Sequence, residues 1–134
     1  MKQEFSIHWK SSLRPSKQRK YRAKAPLHIR HKMLSSHLSK ELRQKYKRRS
    51  FPVRKGDKVK VMRGQFYGVI GEVEKVDMKK MKVFVKGAEF KAKAGAAPRK
   101  YPIDASKLMI ISVNIDDKKR AMALGRTSKA GEKK

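Results

Sequence analysis

From residue 53 onward the chain alternates apolar and polar side chains with a period of two. Val59 and Val61 interleave with Lys58 and Lys60. Val69, Gly71 and Val73 resume the alternation, and Met81, Val83 and Val85 repeat it. Such alternation puts every second side chain on one face, so these segments predict antiparallel strands with one buried face. Gly64 and Gly68 stand between the first two strands, and Gly71 lies in the second. Glycine admits positive φ and close backbone approach, so this spacing predicts a sharply bent hairpin whose loop 63–68 lies open to a partner. Asp77-Met78-Lys79-Lys80 predicts the next turn, 87–90 a further strand or bend, and 91–100 a flexible basic loop. Residues 108–113 predict another strand, with Met109, Ile111 and Val113 on one face. Short strands joined by tight turns predict a mainly β fold, a small SH3-like barrel over 53–113.

The flanks follow other patterns. Residues 1–26 show no apolar periodicity and contain Pro15 and Pro26, which predicts a basic extended arm. Within it, 17–24 (KQRKYRAK) carries five like charges, a block that repels itself in isolation. Tyr21 is the aromatic within that block, placed either to stack on a base or to pack on a neighbouring surface. Pro26 suits the first position of a short helix running to Ser36, with Leu27, Arg30, His31 and Leu34 sharing a face. Ser39 predicts an N-cap for a helix over 40–47, with Glu41 in its first turn and Lys45 and Lys47 in its last, before Pro52 closes the segment. Residues 27–52 therefore form a unit of short helices. After the barrel, Asn114 or Asp116 predicts the cap of a final helix over 117–124, with Gly125 as its stop. Residues 114–134 form this C-terminal helix and a frayed tail.

Charge turns this organisation towards a partner. The 134 residues hold 38 Lys plus Arg against 11 Asp plus Glu, a net charge of +27. Residues 1–52 have 16 basic and 2 acidic side chains, net +14; 53–113 have 15 and 6, net +9; 114–134 have 7 and 3, net +4. A free chain this basic repels itself, and nucleic-acid phosphates are the polyanion that best neutralises it. No apolar run approaches the roughly 18 residues of a spanning helix. The N-terminal apolar residues Phe5, Ile7, Trp9 and Leu13 are too few for membrane insertion, and fit docking on a protein neighbour instead.

Candidate chemistry is sparse. There is no cysteine, which removes disulfides and thiolate metal sites and suits a reducing compartment. His28 and His31 stand three apart, but no carboxylate or thiol nearby completes a ligand set; His8 and His37 stand alone. Glu72 and Glu74 suit pairing with nearby lysines, and Asp116-Asp117 suits helix capping. No nucleophile–base constellation is present, so the chain is expected not to be an enzyme and to need no cofactor or metal.

Gly56-Asp57-x-Val59-x-Val61-x2-Gly64 followed by Gly68-x2-Gly71-x-Val73 resembles the KOW motif, a β-hairpin unit of RNA-associated proteins. The flanks are more specific. Residues 25–64, then Pro102-Ile103-x2-Ser106-x-Leu108-Met109-Ile110 and 116–120 (DDKKR), resemble the archaeal and eukaryotic branch of one large-subunit ribosomal protein family. That family is called L twenty-four in bacteria and L twenty-six in eukaryotes, and the likeness covers about residues 13–124. Tyr67 stands where the family usually has lysine, and 91–101 and the first dozen residues depart from it.

The resemblance implies an SH3-like barrel of the KOW type, seated on the 5′ region of large-subunit ribosomal RNA near the peptide exit tunnel, with a role in subunit assembly and translation. It implies neighbouring ribosomal proteins as partners, a cytoplasmic location in ribosomes (with nucleolar assembly in a eukaryote), and no homo-oligomer. The alternative is a KOW module of a transcription-elongation or RNA-processing complex. That alternative would use the hairpin for protein contacts; on the ribosomal reading the expected RNA-binding residues are Lys17, Arg19, Lys20, Arg22 and Lys24 on the arm. Arg30, Lys32, Lys40, Arg43, Arg48 and Arg49 belong to the helical segment, and Arg54, Lys55, Lys58, Lys60 and Arg63 to the barrel edge. The hairpin glycines Gly64, Gly68 and Gly71 complete the set.

Overall fold

The structure, a computed structural model, describes residue 5, residues 12–92 and residues 95–131. The roles expected of Ile7, Trp9, His8 and the tail 132–134 lie outside these residues.

Valine alternation builds the centre of the molecule. In β3 (Lys58–Val61) Val59 and Val61 are buried, while Lys58 is exposed. In β4 (Ile70–Asp77) Val73 is buried, and in β5 (Lys82–Val85) Val83 and Val85 are buried. The three strands pair antiparallel in chain order, as their turns predict. At the β4–β5 turn the Asp77 carboxylate accepts from the Lys80 N–H at 2.9 Å, which holds its pKa below the ordinary carboxylate value.

The chain is mainly β, as expected, but its sheet is wider than the three-strand alternation indicates. Two strands stand within the segment expected to be helical. Helix α2 (Leu27–Met33) ends early, and β1 (Ser35–Leu38) follows it. After α3 (Lys40–Tyr46) comes β2 (Ser50–Pro52), antiparallel to β1. β1 also runs parallel to β8 (Leu108–Ser112), giving the order β2-β1-β8-β3-β4-β5. The ends of this six-stranded sheet do not hydrogen-bond to each other, so it is an open sheet, compatible with an SH3-like fold, without full barrel closure. A small hairpin, β6 (Glu89–Phe90) with β7 (Arg99–Lys100), brackets the basic loop.

The buried face of β8 differs from expectation. Leu108 and Ile110 are the fully buried residues, while Met109 and Ile111 are half-buried. The register against β3 explains this: Val59 opposes Ile110 and Lys58 opposes Ser112, so Ile111 is an extra residue. Such a bulge reverses the side-chain parity beyond it, and Val113 turns inward with the opposite face.

Both terminal elements are longer helices than the pattern predicts. Pro15–Lys24, expected to be extended, forms α1, with Pro15 at its start and straight-chain Lys, Gln and Arg filling its turns. Helix α4 (Lys118–Gly131) runs through Gly125. That glycine keeps a non-positive φ, and one glycine in a helix interior costs only about 1 kcal/mol relative to alanine. The residue just before α4 is Asp117, whose carboxylate accepts from the Lys119 N–H at 2.8 Å. Asp116 does not fill this role, and Asn114 instead accepts from the Asp116 N–H in a tight turn. By contrast, Ser39 caps α3 as expected, accepting from the Leu42 N–H at 3.3 Å.

Candidate nucleic-acid interface

The expected RNA-binding residues divide by what their side chains already hold. Lys17, Arg19, Lys20, Arg22 and Lys24 lie on α1, which buries none of its residues. Lys32, Lys40, Arg49, Lys55, Lys58 and Arg63 are exposed, and Lys60 is half-buried. None of these twelve has a side-chain hydrogen bond or ion pair among the described residues, so their charge faces solvent.

Four arginines of the same set are occupied. Arg30 donates from Nε to the Ala25 carbonyl at 2.8 Å, from Nη2 to Ala23, and from Nη1 to Lys79 at 3.1 Å. It thereby joins the end of α1 to the β4–β5 turn. Arg43 donates to the Leu38 carbonyl at 2.9 Å and faces His37 Nδ1 at 3.4 Å. Arg48 donates to the Ala123 carbonyl of α4 at 2.6 Å and lies over the Phe51 ring. Arg54 pairs with Asp117 at 2.7 Å, which depresses the Asp117 pKa. The guanidinium's planar fork of five donors suits this bridging between carbonyls, and the lysine ammonium lacks it.

The three glycines have separate causes. Gly64 and Gly68 adopt φ of +101° and +84°, and a Cβ on either would meet nothing within 4 Å. They turn the loop, with the Gly68 N–H bonded back to the Val61 carbonyl at 2.9 Å. Gly71 has ordinary φ, but a Cβ there would stand 2.1 Å from the Lys86 carbonyl oxygen. Its role is close approach of β4 to the end of β5, not exposure to a ligand. Tyr67 at the loop tip is 72% exposed.

The sequence did not single out Asp57 with Arg120. Asp57 is fully buried and Arg120 is 8% exposed. Arg120 binds both carboxylate oxygens, at 2.7 and 2.6 Å, donates also to the carbonyls of Asn114 and Pro52, and lies over the Phe51 ring. Asp57 further accepts the N–H groups of Arg54 and Asn114. This clasp fixes the loop before β3 to the start of α4. Its members do lie in the stretches Gly56-Asp57 and 116–120 that carry the family likeness, which is the signal that pointed to them.

Two of the expected residues, Arg22 and Arg30, also gather with lysines for which no role was expected. An open cleft of about 340 Å³ lies between the end of α1, α2 and the β4–β5 turn, lined by Arg22, Arg30, Lys79, Lys80 and Lys82, with Asp104 as its one acid. Among the described residues no helix is long and apolar enough to cross a membrane.

Comparison with known proteins gives a single direction. The family model that describes the ribosomal proteins L26 of eukaryotes and L24 of archaea matches residues 12–127. The chain is 46% identical over 115 residues to the large ribosomal subunit protein uL24 of Methanosphaera stadtmanae, covering 86% of this chain and 97% of that protein.

Proposed function

We propose, on the premise that this chain belongs to the family of eukaryotic L26 and archaeal L24 ribosomal proteins, that it is a structural constituent of the large ribosomal subunit. The family is one of ribosomal proteins and not of enzymes. The observation that carries the reading is an identity of 46% extending over 97% of an archaeal relative with that name. The chain then binds the 5′ region of the large-subunit RNA near the peptide exit tunnel, contacts neighbouring ribosomal proteins, and supports subunit assembly and translation in cytoplasmic ribosomes.

Its mode of action is electrostatic and geometric. Twelve unengaged cations among the expected set supply phosphate contacts, and each neutralised phosphate releases counterions. The sheet and its clasp fix the cations of the barrel edge, and Arg30 ties the end of α1 to the β4–β5 turn, so RNA shape is recognised through the backbone. Sedimentation of cell lysate at high magnesium tests the reading: the protein should travel with large subunits, and its absence there overturns the proposal. Protein–RNA cross-links read by sequencing should cluster in the 5′ region of the large-subunit RNA, and cross-links elsewhere overturn that placement.

A further inference from the structure

The cations of the β4–β5 turn lie far along the chain from the N-terminal arm, yet the fold brings them to its end. Arg22 and Arg30 share a cleft with Lys79, Lys80 and Lys82. Lys82 and Asp104 also line a second, smaller cleft of about 80 Å³, together with Arg63, Gly64 and Lys107. The two clefts are therefore neighbours that share Lys82 and Asp104 in their linings. One reaches the end of α1 and the other the glycine loop.

We infer that this groove is a track for a phosphodiester backbone, along which an RNA strand passes from α1 over the β4–β5 turn to the glycine loop. The contacts would come from Arg22, Lys79, Lys80, Lys82, Lys107 and Arg63. The inference rests on the RNA-binding reading above and adds four lysines to it.

Three observations support a polyanion in this groove. First, its cations greatly exceed its acid. Asp104 is the one carboxylate lining either cleft, and it is held by Lys82 at 3.0 Å. The nearby Asp77 carboxylate is engaged by the Lys80 N–H. Second, the side chains of Arg22, Lys79, Lys80, Lys107 and Arg63 have no hydrogen-bond or ion-pair partner among the described residues. Third, the negative end of α1 would repel phosphate, but Arg30 covers the carbonyls of Ala23 and Ala25 there. The same guanidinium bonds the Lys79 carbonyl, so the two walls of the cleft are joined before any ligand arrives.

The test is the salt dependence of affinity for a short, mixed-sequence single-stranded RNA, using the full chain. Each single-strand phosphate contact contributes about −0.7 to the log–log slope, so Lys79→Gln with Lys80→Gln should make the slope shallower by about 1.4. Lys107→Gln should remove about 0.7 more. Lys118→Gln with Lys119→Gln removes the same charge from the exposed start of α4 and should leave the slope unchanged. All these positions are exposed, so thermal melting should match wild type. An unchanged slope in the turn variant overturns the track, as does an equal effect from the α4 variant, which would assign the change to net charge alone. A flat salt response of the wild-type protein would instead overturn the RNA-binding reading itself.

Discussion

Helices α1 and α4 are both basic and both terminal, and the fold treats them in opposite ways. Helix α4 buries Leu124 in the core and commits Arg120 to a buried carboxylate. Helix α1 buries nothing; Arg30 holds its last carbonyls, and Tyr21 meets Phe5 at a ring distance of 4.8 Å. Cation count therefore does not separate binding from building. A buried arginine with a full set of acceptors is structural, whereas an exposed lysine without a partner is free for phosphate.

The largest expected effect tests the structural half of this contrast. Arg120→Ala leaves the Asp57 carboxylate buried without its cation and should cost about 3–5 kcal/mol in urea unfolding. A loss below about 1 kcal/mol would mean that the clasp is not a main attachment of α4. Gly71→Ala comes next. Its Cβ would collide with the Lys86 carbonyl oxygen, and overpacking of this kind costs about 1–3 kcal/mol. Gly68→Ala has open space but must hold φ near +84°, so about 1 kcal/mol is expected. Reversal of that order would show that loop conformation matters more than strand approach.

The binding half predicts small stability effects with large ionic ones. Lys17→Gln with Lys20→Gln should change stability by no more than about 0.5 kcal/mol. The same pair should make the RNA salt slope shallower by about 1.4. Equal melting with an unaltered slope would remove α1 from the interface. Smallest of all is Asp117→Asn, which breaks the exposed pair with Arg54. Pairing with Arg54 depresses the folded-state pKa of Asp117, so its contribution is present above the ordinary carboxylate value. It is lost as pH falls through the depressed value. The difference in melting temperature between wild type and Asp117→Asn should thus be small at neutral pH and vanish in acid. A difference that grows on acidification would contradict the pairing.

Particular residues show what could be foreseen. Val59, Val61, Val73, Val83 and Val85 announce the buried face by alternation, and Ser39 announces its helix by local capping chemistry. The flanking residues sufficed to identify the family. β1 was not legible, because Ser35–Leu38 is short and its strand conformation depends on pairing with β8 some seventy positions later. The buried side of β8 escapes sequence reading because a bulge at Ile111 has no mark in the composition. Among the site residues, Arg30, Arg43, Arg48 and Arg54 look like their free neighbours in sequence. Only the carbonyls and the carboxylate they meet distinguish them.

The amino-acid sequence alone determined the basic character of this protein, its polyanionic partner class, its β-rich centre and its ribosomal family. These depend on local periodicity, on summed charge and on contiguous motifs, all of which are properties of neighbours along the chain. Only the tertiary structure decided which cations are free. That choice depends on which acceptors arrive from distant segments, as Asp57 meets Arg120 and the β4–β5 turn meets the end of α1.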